Sequence, residues 1–270
     1  MPQRIQKLGL SIVLVALMLT FSLTSCTAKT ANPLSGGDTL VQISTIDAVL
    51  NGLYDGVTDF KTLKTYGDFG IGTFQALDGE MVALDGKFYQ VKADGKAYPV
   101  DDAALTPFAS MTYFSPDSTL TLETGMNCPT VQAFLDKNLP TDNIFYAIKI
   151  QGTFSYMKTR SVPAQQKPYP PLVDVTAHEP VFEMHDVEGV IVGFRSPSYV
   201  SGVNVPGYHL HFLTTDKTAG GHILDFTVKN ATAQIDNTSD FLMILPGQGS
   251  DFYNLDLTKD KTADLNKAEK

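Results

Sequence analysis

Between Gly70 and Val100, short apolar stretches are separated by Asp78-Gly79, Asp85-Gly86 and Asp94-Gly95. Asp-Gly supplies the backbone angles that a two-residue hairpin turn needs, so this segment predicts a β-meander. The second half has the same texture. Ile144 to Ile150, Thr153 to Thr159, Pro180 to Met184, Gly189 to Phe194, Tyr208 to Leu213 and His222 to Val228 are rich in β-branched and aromatic residues and read as strands. Helical spacing is confined to a few places. Ile46, Val49, Leu50 and Leu53 recur at helical intervals behind Ser44 or Thr45 as a cap, and Asn51 to Gly56 closes the segment. Pro129 stands near the start of a helix to Asn138 that carries Val131, Phe134 and Leu135, and Pro140 stops it. Ala263 to Glu269 is helix-prone. Strands outnumber helices throughout, which predicts an α+β fold of mixed and antiparallel sheets with few helices. The Pro-rich stretch Ser161 to Leu172 reads as a long surface connection. It sets a soft boundary between a β-rich N-terminal half, 39–165, and a C-terminal β half, 166–270.

A different pattern opens the chain. Arg4 and Lys7 precede an unbroken apolar and hydroxyl run from Leu8 to Ser25, the make-up of a signal peptide spanning 1–25. The run is short for a bilayer-spanning helix, which needs about 20 apolar residues. It ends in Leu23-Thr24-Ser25-Cys26, which resembles the lipobox of bacterial lipoproteins, where cleavage falls before the cysteine and the thiol carries a lipid. The expectation is an exported protein, anchored on the extracytoplasmic face of a membrane through Cys26. Residues 26–38, small, polar and interrupted by Pro and Gly, would form the tether. Cleavage would remove Arg4 and Lys7 and no acid, taking the formal charge from −9 to −11. So acidic a chain lacks the basic surface on which nucleic-acid binding relies. With Cys26 acylated, Cys128 has no partner for a disulfide and reads as a small buried apolar residue.

Candidate chemistry gathers at the histidines. Three of the five lie within fourteen residues, in Tyr208-His209-Leu210-His211-Phe212 and Gly221-His222. On a strand His209 and His211 point to one face, and Tyr208, Leu210 and Phe212 to the other. Thr214 to Gly221 is polar and contains glycine, as a hairpin loop would. Folding about residues 216 and 217 sets His222 opposite His211, where facing Cβ atoms are about 5 Å apart. Three imidazoles converging from adjacent strands suit a divalent transition metal, zinc first, with positions left for water or substrate. The spacing alone also fits cupins and carbonic anhydrases. The former want a glutamate that Leu213 to Asp216 does not supply, and the latter a third histidine later in the chain. His178 and His185 show no such pairing and read as peripheral.

Gly67-Asp68-Phe69-Gly70-Ile71-Gly72-Thr73-Phe74 running into Leu77-Asp78-Gly79-Glu80-Met81 resembles the N-terminal signature of the α-acetolactate decarboxylases. Gly152-Thr153-Phe154 with Arg160 downstream, Gly193-Phe194-Arg195-Ser196-Pro197, and Gly207 to Phe212 with Gly221-His222 agree with the same family, in the same order. The resemblance covers the chain from about residue 39. It implies metal ligands at His209, His211 and His222, an active-site glutamate at Glu80, an active-site arginine at Arg160 and a substrate-facing threonine at Thr73. A C-terminal glutamate is expected to reach the metal region, and Glu269 is the sole glutamate beyond Leu257. A homodimer is the family's usual assembly. From the residues alone, Glu80 starts a strand on which Val82 and Leu84 share its face, where a carboxylate is costly unless paired or used. Arg160 shares a face with Phe154 and Tyr156 and reads as solvated or structural, and Thr73 as an ordinary strand residue.

The activity implied is conversion of 2-acetolactate to acetoin and CO2, with a zinc-like ion as Lewis acid stabilising the enediolate left by decarboxylation. In that chemistry Arg160 would orient the carboxylate or a neighbouring oxygen. Glu80 or the C-terminal carboxylate would deliver the proton. Two other readings stay open: a metal- or ligand-binding lipoprotein that catalyses nothing, and a related lyase acting on another α-hydroxy-β-keto acid.

Overall fold

A computed structural model of the chain describes residues 38–269, all within one compact unit. The expected signal peptide, Cys26 and nearly all of the tether lie outside the described residues. Seven strands form the first sheet, in the order β14 (Asp240–Ile244), β1 (Thr39–Ile43), β8 (Ala109–Thr112), β3 (Phe69–Thr73), β4 (Glu80–Leu84), β5 (Lys87–Val91) and β6 (Ala97–Pro99). Only the β14–β1 pair is parallel. The meander β3 to β6 is the one the Asp-Gly turns call for, with Gly79, Gly86 and Gly95 all at positive φ.

The second sheet runs β10 (Phe145–Arg160), β11 (Val181–Ser196), β12 (Gly207–Thr214), β13 (Gly220–Thr238) and β9 (Ser118–Leu122), all antiparallel. β13 also pairs with β10, so four strands close into a ring. β2 (Thr58–Asp59) and β7 (Leu105–Thr106) form a small separate pair. Among the described residues the helices are α1 (Ile46–Leu50), α2 (Phe60–Leu63), α3 (Cys128–Asn138), α4 (Leu172–Thr176) and α5 (Thr262–Glu269). Thr45 caps α1 through Ala48 N–H, and Asn127 caps α3 through Thr130 N–H. No helix among the described residues is long and apolar enough to cross a membrane.

Two sequence expectations change here. Ile144 to Ile150 and Thr153 to Thr159 are one strand, β10, and Pro180 to Met184 and Gly189 to Phe194 are another, β11. Register shifts between Thr153 and Thr159 let β10 bend without ending its pairing. They also break the alternation that placed Arg160 with Phe154 and Tyr156. Phe154 and Met157 share a core cluster, and the adjacent Thr159 and Arg160 are both buried.

The boundary near residue 165 does not divide the sheets either. β9 and β10 precede it yet belong with β11 to β13, and β14 follows it yet pairs with β1. The Pro-rich connection is bound down rather than free. Ser161 Oγ donates to Val91 O at 2.7 Å, Gln165 N to Ala76 O at 2.7 Å, and Tyr54 Oη to Pro170 O at 2.9 Å.

Core packing explains why central strands read as continuous apolar runs. In β10, Tyr146, Ile148 and Ile150 face a cluster with Phe212, Phe226 and the α3 residues Val131 and Leu135. Phe145 and Ala147 face the other way, joining Val82 and Leu84 of β4 and Val192 and Phe194 of β11 between the sheets. A third cluster unites Ile46 and Val49 of α1, Leu172 and Val175 of α4, and Leu265 and Ala268 of α5. That cluster carries the C-terminus back to the strands bearing the histidines.

Candidate active site

Strand pairing builds the centre of the site. His211 lies opposite His222 in the β12–β13 pair, as folding about residues 216 and 217 requires. His222 is also opposite Arg160, because β13 passes from β12 to β10 at this residue. The preceding Gly221 leaves no room for a side chain, since a Cβ there would sit 2.4 Å from Arg160 O. His209 is two residues before His211 on the same face, and the three ring centroids lie 5.1, 5.1 and 5.3 Å apart. One ring nitrogen from each residue falls within 4.8 Å of the others. His178 and His185 are exposed and stand apart from this group.

The surroundings keep the imidazoles neutral. Burial and the Arg160 charge push His209 down to about 3, and burial first of all holds His211 and His222 well below the ordinary histidine range. His211 Nδ1 is 2.8 Å from Met81 O, a contact only a protonated Nδ1 makes favourably. The lone pair is then on Nε2, which is buried and without a hydrogen-bond partner.

Carboxylates arrive from two directions. Glu80 comes from β4 of the first sheet, on the inter-sheet face it shares with Val82 and Leu84, and its Oε2 is 3.5 Å from His211 Nε2. Glu269 comes from the last turn of α5, its Oε2 3.4 Å from His209 Nε2 and 3.9 Å from His222 Nδ1. Burial is the largest influence on both, opposed by Arg160, and it raises Glu80 to about 8 and Glu269 to about 7.

Arg160 is 5 % exposed. Its Nη1 donates to Glu179 Oε1 at 2.6 Å and its Nη2 to the carbonyl of Ala268. Thr73 is buried beside the group, its hydroxyl donating to Gly79 O at 2.8 Å in the turn that leads into Glu80. Thr73, Glu80, Arg160, His209, His222 and Glu269 line one small cavity. With His211 in the imidazole cluster, the catalytic, substrate-facing and metal-ligating residues named from the sequence come together here, while Cys26 lies outside the described residues. Glu179, which lines the same cavity, was not among them. No spacing or motif singles out His178-Glu179-Pro180, and its place follows from Arg160 and Val181 being paired where β10 and β11 meet.

The donor set fits a divalent metal ion. If Glu80, Glu179 and Glu269 all ionise, only Arg160 opposes them, so three negative charges against one positive leave a buried excess of two. Such an excess is costly without a cation. His211 Nε2 and Glu269 Oε2 are both buried and unpartnered, the atoms an ion among the three imidazoles would engage.

A β-rich fold with a buried three-histidine cluster, walled by carboxylates and one arginine, defines a candidate metalloenzyme acting on a small molecule. Residues 40–259 match the family described as alpha-acetolactate decarboxylase, and the chain belongs to that family. It is 55 % identical over 236 residues to the alpha-acetolactate decarboxylase of Methanosarcina mazei, covering 87 % of this chain and 82 % of that one. With the Bacillus licheniformis alpha-acetolactate decarboxylase it shares 41 % identity, over 86 % of this chain and 92 % of that one. The crystal structure of alpha-acetolactate decarboxylase from Bacillus subtilis strain 168 superposes with a TM-score of 0.83 at 39 % identity, covering 86 % of this chain and 99 % of that one.

Proposed function

We propose that this chain decarboxylates 2-acetolactate to acetoin and CO2 at the cavity between its two sheets. The observation that carries the reading is the buried cluster of His209, His211 and His222 with Glu80, Arg160 and Glu269 at its edge, in a chain of this family. A divalent ion, zinc by preference for three imidazoles, would be held by the histidines and would supply Lewis acidity at the hydroxyl and carbonyl oxygens of the substrate. Arg160 orients the substrate carboxylate or a neighbouring oxygen; its Nε–H is buried and uncommitted. Breaking the bond to the carboxylate carbon releases CO2 and moves the electron pair into the adjacent carbonyl, and one proton then completes acetoin. Glu80 and Glu269 are the carboxylates in place to hold and deliver that proton. Thr73 fixes the turn before Glu80 and adds a polar group to the substrate wall.

The test is release of CO2 and acetoin from racemic acetolactate by the purified mature protein. Activity should vanish on chelation and return with zinc or another divalent transition ion. Chelator-resistant release would remove the metal from the reading, and no release from the metal-loaded protein would leave a binding protein.

The lipid anchor at Cys26 and a homodimer belong to the same proposal. Leader composition and the Leu23 to Cys26 motif support the first. The second is supported by the family and by Phe241, Leu242 and Met243, more than a third exposed on the edge strand β14. A Cys26→Ser form should be unacylated by mass spectrometry and have the mass of a dimer by light scattering. Persisting acylation would refute the anchor, and a monomer mass the dimer.

A further inference from the structure

Arg160 ends β10 and Glu179 lies just ahead of β11, so antiparallel pairing sets the two side by side across the excursion of residues 161–180. Both side chains are 7 % exposed, and Arg160 Nη1 reaches Glu179 Oε1 at 2.6 Å. The same guanidinium donates through Nη2 to the carbonyl of Ala268, a fully buried residue of α5. The next residue is Glu269, whose carboxylate lies 3.4 Å from His209. One planar group thus joins Glu179 on one side to the backbone carrying Glu269 on the other. A guanidinium is a rigid fork, so fixing one arm fixes the direction of the other.

We infer that Glu179 is a positioning residue, holding the Arg160 fork so that it orients substrate and latches the end of α5 with Glu269 at the histidine cluster. The inference rests on the role proposed above for Arg160. Glu179 itself touches no imidazole. It acts through Arg160, and its removal leaves the three histidines and their mutual geometry in place. The loss of a partner that orients a site residue typically costs about 10–100-fold in activity.

The test uses the full mature chain loaded with zinc. Glu179→Gln keeps the shape and an oxygen acceptor but removes the charge that holds the fork. It is expected to retain one metal ion per chain, to lose about tenfold or more in acetoin release, and to show faster amide exchange confined to α5. In an Arg160→Lys background, where the fork is absent, the same change should cost less than about threefold further, because the two residues act as one unit. Should Glu179→Gln fail to fold, Glu179→Asp, with the charge set back by one methylene, is measured in the same way. Normal turnover in the Glu179 variant beside an impaired Arg160→Lys would overturn the inference, as would losses that multiply in the double variant or loss of the metal. Normal turnover of metal-loaded Arg160→Lys would instead overturn the role given to Arg160 itself.

Discussion

His211→Ala is expected to remove the metal and to lower turnover by at least about 10³-fold, the several kcal/mol that a Lewis acid contributes to developing charge. His211 is the most deeply placed of the three imidazoles, 1 % exposed, and both its ring nitrogens are committed by position. Nδ1 is held by Met81 O at 2.8 Å, and Nε2 points its lone pair at the site. Removing the ring deletes the ligand whose tautomer is fixed by this contact. The fold should survive. The change opens a cavity and strands one carbonyl, together on the order of 2–4 kcal/mol. That corresponds to a fall of about 4–16 °C in melting temperature for a domain of this size. The proper reference is the chelated wild-type protein, because a bound ion adds stability of its own. Elemental analysis, acetoin release and thermal melting of the same sample decide the matter. A His211→Ala protein with full metal content would show that the ion sits elsewhere.

The hairpin that makes this site was readable because its information is local. Period-two alternation puts His209 and His211 on one face, and the polar stretch from Thr214 to Gly221 fixes the fold-back that brings His222 opposite. The Asp-Gly turns, the cap at Thr45 and the Pro129 start of α3 are local in the same sense. Non-local pairings were not readable. Nothing in Asp240 to Ile244 announces that it lies beside Thr39 to Ile43, and nothing in β10 announces that β13 will return to close the ring. The sheets do not follow the soft boundary near residue 165 for this reason, since strands on both sides cross it to reach their partners. The carboxylates show the limit most clearly. Glu80 could be placed at the start of a strand, but its approach to His211 depends on how two sheets pack, and only the family resemblance suggested it. Glu179 belongs to no pattern at all, and only the pairing of Arg160 with Val181, where β10 and β11 meet, puts a buried acid beside Arg160.

Deleting Asn266 to Lys270 is expected to lower turnover by about 100-fold or more, the range that a positioned proton donor contributes. A penultimate residue is ordinarily frayed and dispensable. Here Leu265 and Ala268 are buried against Ile46, Val49, Leu172 and Val175, and Arg160 bonds the Ala268 carbonyl. Glu269 is carried by that packing to 3.4 Å from His209, although it lies beyond residue 259, where the family match ends. The truncation keeps Leu265 but takes the Ala268 methyl from the core, worth about 0.8 kcal/mol, and the carbonyl that accepts from the buried Arg160, worth about 1–3 kcal/mol. The melting temperature should therefore fall by about 4–16 °C, at about 2–4 °C per kcal/mol, with the fold retained. Glu269→Gln separates the carboxylate from the helix that bears it, since it keeps the shape and the α5 contacts and removes the titratable carboxyl proton. It should reproduce most of the loss while leaving the three histidines to hold their ion, by acetoin release and elemental analysis on one preparation. If Glu269→Gln is active and the truncated chain is not, α5 serves to hold Arg160 and to close the cavity. If the truncated chain turns over normally, Glu269 has no part in the reaction, and Glu80 is the one carboxylate left at the histidine cluster to deliver the proton.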